Sequence, residues 1–146
     1  MNREHERSMR RCLELARQAV ASGDTPVGAL VVREGAVVAE GVESVRARRD
    51  VTAHAEIVAL RTASERLGTI DLGGCTLYTS VEPCVMCAYA IRLARISAVV
   101  TGARVDPAGR GIAALADAAL LPTRPMPSIV RGVLADECGA ALREAR

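Results

Sequence analysis

The chain contains no lysine, phenylalanine or tryptophan; its nineteen basic residues are all arginine, and Tyr78 and Tyr89 are its only Phe/Tyr/Trp-type aromatics. Surfaces that hold single-stranded nucleic acid stack bases on aromatic faces, so the scarcity of such side chains argues against one here. The absence of lysine is read as GC-rich coding bias and carries no functional meaning. A net charge of +2 is too small to indicate a polyanionic partner. No apolar run approaches the roughly 20 residues that cross a bilayer, and Met1 to Arg11 lacks the apolar core of a secretory signal. A cytoplasmic location is expected from these absences. In a reducing compartment the five cysteines serve metal binding or burial rather than disulfides.

What is present fits one globular domain spanning residues 1–146, with half its residues apolar and a quarter charged. Met9, Cys12, Leu13, Ala16, Ala19 and Val20 recur at helical spacing over residues 3–21, and Gly23 stops that helix. Residues 27–32 and 36–39 read as a hairpin about Glu34-Gly35. Residues 45–51 form an arginine-rich loop, and Thr52 is placed to cap a helix running from Ala53 to Leu67. Strand, helix and strand follow at 76–80, 84–94 and 96–101, then a helix at 112–120. A short strand at 129–130 and a helix over 133–143 close the chain. Strands alternating with helices predict a layered α/β domain with partly parallel pairing.

The chemistry concentrates in two segments, Thr52-Ala53-His54-Ala55-Glu56 and Glu82-Pro83-Cys84-Val85-Met86-Cys87. A Cys-x-x-Cys at a helix start turns both sulfurs to one point, and the helix N-terminus favours the thiolate. One imidazole added to two thiolates makes a three-ligand zinc site with a position left for water, the catalytic pattern. Zinc lowers the pKa of that water, and a carboxylate two residues from the histidine can carry its proton. A redox dithiol would share the Cys-x-x-Cys but does not call for His-x-Glu. A structural zinc would want a fourth protein ligand. Cys12, Cys75 and Cys138 lie in apolar patterns and read as core residues, while His5 reads as solvated.

His-x-Glu paired with Pro-Cys-x-x-Cys is a known signature of zinc nucleobase deaminases. With Pro26-Val27-Gly28-Ala29, Gly102-Ala103-Arg104 and Leu134-Ala135-Asp136-Glu137-Cys138 added, the chain resembles the cytidine deaminase superfamily over nearly its whole length. The likeness is greatest to the tRNA adenosine deaminase and guanine deaminase branch. That resemblance implies a three-layer α/β/α fold with a five-stranded mixed sheet and helices on both faces. It implies one zinc per subunit on His54, Cys84 and Cys87, with Glu56 as the catalytic proton carrier. It also implies a homodimer, and substrate contacts at Val27 and Ala55.

Three departures bear on the substrate. The branch is expected to carry asparagine two residues beyond the glycine that ends the second strand; here that place is Glu43, which as a carboxylate only accepts hydrogen bonds. Such a group suits a ring presenting N–H donors. The chain ends Leu142-Arg143-Glu144-Ala145-Arg146, without the aromatic, basic helix expected of tRNA enzymes. The acidic residue expected after Gly-Ala-Arg is Val105, with Asp106 one place later. Arg46, Arg48 and Arg49 pull the other way, since a basic loop can meet phosphate. The expected substrate is therefore a small free nucleobase or related amino-heterocycle, guanine-, cytosine- or isocytosine-like. The alternatives are tRNA adenosine, a nucleoside or nucleotide, and a binding module without turnover. Intact Glu56 speaks against the last.

Overall fold

A computed structural model describes residues 2–145, and Met1 and Arg146, the ends of the two terminal segments read above, lie outside the described residues. Helix α1 (Arg3–Ala21) opens on Asn2, whose side chain accepts from the N–H groups of Glu4 and His5. Strands β1 (Gly28–Arg33) and β2 (Ala36–Val42) form the expected hairpin. Glu34 and Gly35 both take positive φ, at 51° and 77°, as a two-residue turn of matching twist requires. Then come α2 (Val45–Arg48), α3 (Ala55–Leu67), β3 (Cys75–Val81), α4 (Val85–Leu93) and β4 (Ala98–Ala103). The chain closes with α5 (Arg110–Leu115), β5 (Ser128–Val130) and α6 (Ala135–Glu144).

The strands lie in the order β2-β1-β3-β4-β5, with β1 antiparallel to both neighbours and β3, β4 and β5 parallel. Side chains alternate between two cores, one on each face. Ala29, Val31, Leu77 and Val99 pack with Ala59, Leu60 and Ile91 of α3 and α4. Leu30, Val32, Tyr78 and Val100 pack with Met9, Cys12 and Leu13 of α1 and with Cys138 of α6. Helices on both faces explain why β1, β3 and β4 are buried along nearly their whole length. The predicted five-stranded mixed sheet with helices on both faces is the observed one.

Three local readings change. The arginine-rich loop contains the one-turn helix α2, because the Asp24 carboxylate accepts from the N–H groups of Arg46 and Ala47. Helix α3 starts at Ala55 and not Ala53, with His54 at its N-cap. Thr52 does not cap it; its hydroxyl donates to Asp50. Helix α5 ends at Leu115, short of the predicted Leu120. At its end the fully buried Arg92 guanidinium donates to the Ala114 carbonyl in the last turn and to the Asp117 and Leu121 carbonyls beyond it, which draws the following segment out of helical geometry.

Two glycines allow helices to approach the site closely. A Cβ on Gly41 would run into the Ala55 carbonyl at the start of α3, and a Cβ on Gly111 would run into the Pro83 carbonyl just before Cys84. Both neighbours are backbone and cannot swing aside. We therefore expect Gly111→Ala to lower stability by about 1–3 kcal/mol, the usual cost of overpacking, as read by denaturant melting. It should also weaken zinc retention without altering any ligand. Wild-type values for both quantities would show that α5 does not brace the cysteine turn.

Candidate metal centre and active site

Strand β3 ends at Val81, and Glu82-Pro83 carry the chain to Cys84 at the N-cap of α4. The site thus lies beyond the carboxyl end of a parallel strand, where open α/β sheets commonly hold ligands. His54 at the N-cap of α3 faces it. Neither His54 nor Cys84 makes the side-chain hydrogen bond usual at a helix cap, so both side chains are free to point at a common centre. Cys87, fully buried, comes from the first turn of α4.

The geometry suits a tetrahedral ion. The three ligand atoms lie within 4.8 Å of one another. His54 Nδ1 is 3.6 Å from Cys84 Sγ and 3.5 Å from Cys87 Sγ. Zinc bonds to nitrogen and sulfur at tetrahedral angles require an N···S separation of about 3.6 Å. The hydrogen bond from Cys87 holds the Cys84 thiol down at about 5. The same shared proton, together with burial, pushes Cys87 well up. Two thiols so placed ionise together only around a cation, which is what a zinc site supplies.

Glu56, in the first turn of α3, is buried and lines the same cavity as His54 and Cys84. Burial pushes its carboxyl up to about 7, and the charges of Glu43 and Cys84 add to that shift. A carboxyl poised there can both take and give a proton near neutral pH. The cavity measures about 490 Å³. Val27 and Glu43 line it as well; burial raises the Glu43 carboxyl. Ala55 is fully buried and its N–H donates to Glu43 Oε1 at 2.8 Å, so Glu43 supplies the helix cap that Thr52 does not.

Other residues at the cavity had no role assigned to them from the sequence. Asp24 holds α2 as described, and Glu82 is buried with both oxygens on Arg131, at 2.6 and 3.1 Å. Leu142 and Ala145 of the last helix and its end form part of the wall. Only the turn residue Gly23 hinted at Asp24, and nothing local could have paired Glu82 with Arg131. Val105 lines the cavity, whereas Asp106 turns to accept from the N–H groups of Ala108 and Arg110. The one-place shift therefore leaves no carboxylate there. Arg46, Arg48 and Arg49 are all exposed, and of the three Arg46 lines the cavity. Cys12, Cys75 and Cys138 are buried as expected. His5 is not simply solvated; its Nδ1 lies 2.9 Å from the Tyr78 hydroxyl.

Residues 2–103 match the family model described as "Cytidine and deoxycytidylate deaminase zinc-binding region". The chain belongs to this family. It is 45% identical over 91 residues to a tRNA-specific adenosine deaminase of Aquifex aeolicus, covering 62% of this chain and 60% of that protein. To a guanine deaminase of Bacillus subtilis it is 47% identical over 96 residues, 65% of this chain and 62% of that protein. The chain thus spans a little under two thirds of either relative. A solved guanine deaminase from Nitrosomonas europaea shares 33% identity at a TM-score of 0.81, over 96% of this chain and 83% of that one. The deaminase family's zinc-binding region includes the His54, Cys84 and Cys87 group, which the geometry shows able to hold a metal.

Purified protein should carry about one zinc per chain by elemental analysis. Cys87→Ala should lose the metal. A variant that keeps full zinc would mean the metal is held elsewhere.

Proposed function

We propose that the chain is a hydrolytic deaminase that releases ammonia from a free amino-substituted nucleobase or related heterocycle. The observation that carries this reading is the placing of buried Glu56 in one cavity with a triad of zinc geometry. Zinc bound there lowers the pKa of water towards neutrality. Glu56 carries the first proton of the attacking water to the ring nitrogen. It then carries the second, from the hydroxyl left on the attacked carbon, to the amine, which departs as ammonia as the carbonyl forms. Val27 offers the apolar wall for the ring, and Pro26, Leu142 and Ala145 narrow the space around it. Ala55, buried behind Glu43, acts by holding that carboxylate in place and does not itself meet the ring.

The cavity favours a small uncharged ring over a phosphate-bearing one. Asp24, Glu43, Glu56 and Glu82 line it, and Arg46 is the only basic residue among its described lining. Phosphates would meet repulsion there. A second reading, adenosine deamination in tRNA, draws on the Aquifex relative and on Arg46 at the cavity, with Arg48 beside it. An ammonia-release screen over free bases, nucleosides and an anticodon stem-loop separates the two, and activity confined to the stem-loop would end the free-base reading.

Glu56→Ala should retain zinc while turnover falls by about 10²-fold or more. Zinc loss in that variant would make Glu56 structural instead.

We also propose a homodimer in the cytoplasm. No helix among the described residues is long and apolar enough to cross a membrane. The paired thiolates need a reducing compartment. Helix α4 leaves Val85, Met86, Tyr89 and Leu93 exposed along one side, an apolar stripe that a second copy would cover. Sedimentation should give a dimer, and Leu93→Glu with Tyr89→Glu should shift it to monomer. An active wild-type monomer at assay concentration would contradict this.

A further inference from the structure

Of the four carboxylates that line the cavity, two are already saturated by the protein. Asp24 accepts from Arg46 N–H at 2.7 Å and Ala47 N–H at 3.2 Å, one on each oxygen. Glu82 takes both of its bonds from Arg131. Glu56 is the proton carrier. Glu43 is different: Oε1 accepts from Ala55 N–H, and Oε2 has no hydrogen-bond partner among the described residues. The residue is half-buried on the cavity wall, so a carboxylate oxygen fixed by its twin is presented to whatever occupies the site. The backbone bond removes the side chain's freedom, and a charge-assisted acceptor held in this way discriminates strongly between donors and acceptors on a ring.

Glu43 and Glu56 are also two carboxylates at one helix start. Glu56 belongs to the first turn of α3, and Glu43 caps that same turn. An amino-bearing carbon placed between them and the metal ligands needs two different neighbours. Towards Glu56 it needs an unprotonated ring nitrogen to receive the proton. Towards Glu43 it needs an N–H to donate.

We propose that Glu43 determines specificity through its free oxygen, and that the substrate is a cyclic guanidine, a ring whose amino carbon lies between a bare nitrogen and a ring N–H. Isocytosine and guanine have this pattern. In cytosine and adenine the amino carbon is flanked on one side by carbon. The inference rests on the deaminase reading above and narrows its substrate.

Isocytosine and cytosine are isomers of one size, which makes them the natural probe pair, with guanine and adenine as the purine pair. Zinc-loaded full-length protein should favour isocytosine and guanine by at least about tenfold in kcat/KM. Glu43→Gln can still accept from Ala55 N–H through its amide oxygen while turning an NH2 donor to the ring. Zinc content and Tm should therefore hold, and the isocytosine-to-cytosine ratio should fall by at least about tenfold. Calorimetry in a Glu56→Ala background, where no turnover intervenes, should show the same loss as weaker isocytosine binding. Glu43→Ala should in addition lower Tm, since it removes the cap.

An unchanged ratio in Glu43→Gln would overturn the proposal and leave Glu43 as a helix cap alone. Preference of the wild type for cytosine, adenine or the anticodon stem-loop, with zinc and Glu56 still required, would overturn the guanidine proposal and keep the deaminase reading. Ammonia from none of these by zinc-loaded protein would sink both.

Discussion

Everything at the site depends on two helices beginning at one point. Helices α3 and α4 belong to segments 30 residues apart, yet their N-caps bring His54 Nδ1 and Cys84 Sγ to 3.6 Å. Both N-termini direct their positive dipole ends at the centre, which favours the thiolates a metal needs. Using cap residues as ligands forgoes two side-chain caps, each ordinarily worth about 1 kcal/mol. The structure recovers part of this at α3, where Glu43 takes over the Ala55 N–H from a neighbouring loop. Gly41 and Gly111 keep the approach close, because a single added methyl group at either would meet backbone.

The sheet supplies the rigidity on which this convergence rests. Strand β3 pairs on both sides, antiparallel to β1 and parallel to β4, so the turn leading to Cys84 leaves a fixed central strand. Buried Arg92 on the same helix as Cys87 binds the Ala114 carbonyl in α5 and the Asp117 and Leu121 carbonyls beyond it, and so ties the helix to the segment that braces the cysteine turn. On the far side of that turn the Glu82–Arg131 pair links it to the loop before α6. With Glu82 buried, breaking that pair would strand a charge, so the link resists opening.

The electrostatics of the cavity follow from which carboxylates are already bonded. Four acids around one small space would repel one another if all were bare. Asp24 and Glu82 are held by protein donors, and Glu56 is kept from the solvent by burial. Among the described residues Glu56 makes no side-chain hydrogen bond to another residue and is left to move protons, while Glu43 is fixed through one oxygen and keeps the other free. That asymmetry gives the pocket a chemical direction it would lack on shape alone.

The sequence by itself determined most of the elements and the candidate metal ligands. Apolar periodicity marked α1 and the five strands, and Glu34-Gly35 marked the hairpin. The spacing Cys84-x-x-Cys87 put two candidate metal ligands one helical turn apart on one face, and His54-x-Glu56 supplied the third ligand and a candidate proton carrier. Only the tertiary structure decided how the other residues are used. That Glu43 rather than Thr52 caps α3, that Asp24 winds α2, that Arg92 cuts α5 short and that Val105 and not Asp106 lines the cavity all depend on contacts between distant segments. A backbone N–H left bare at a helix start must find an acceptor. Local sequence says that one is needed, while which distant side chain supplies it is settled only when the sheet brings the two segments together.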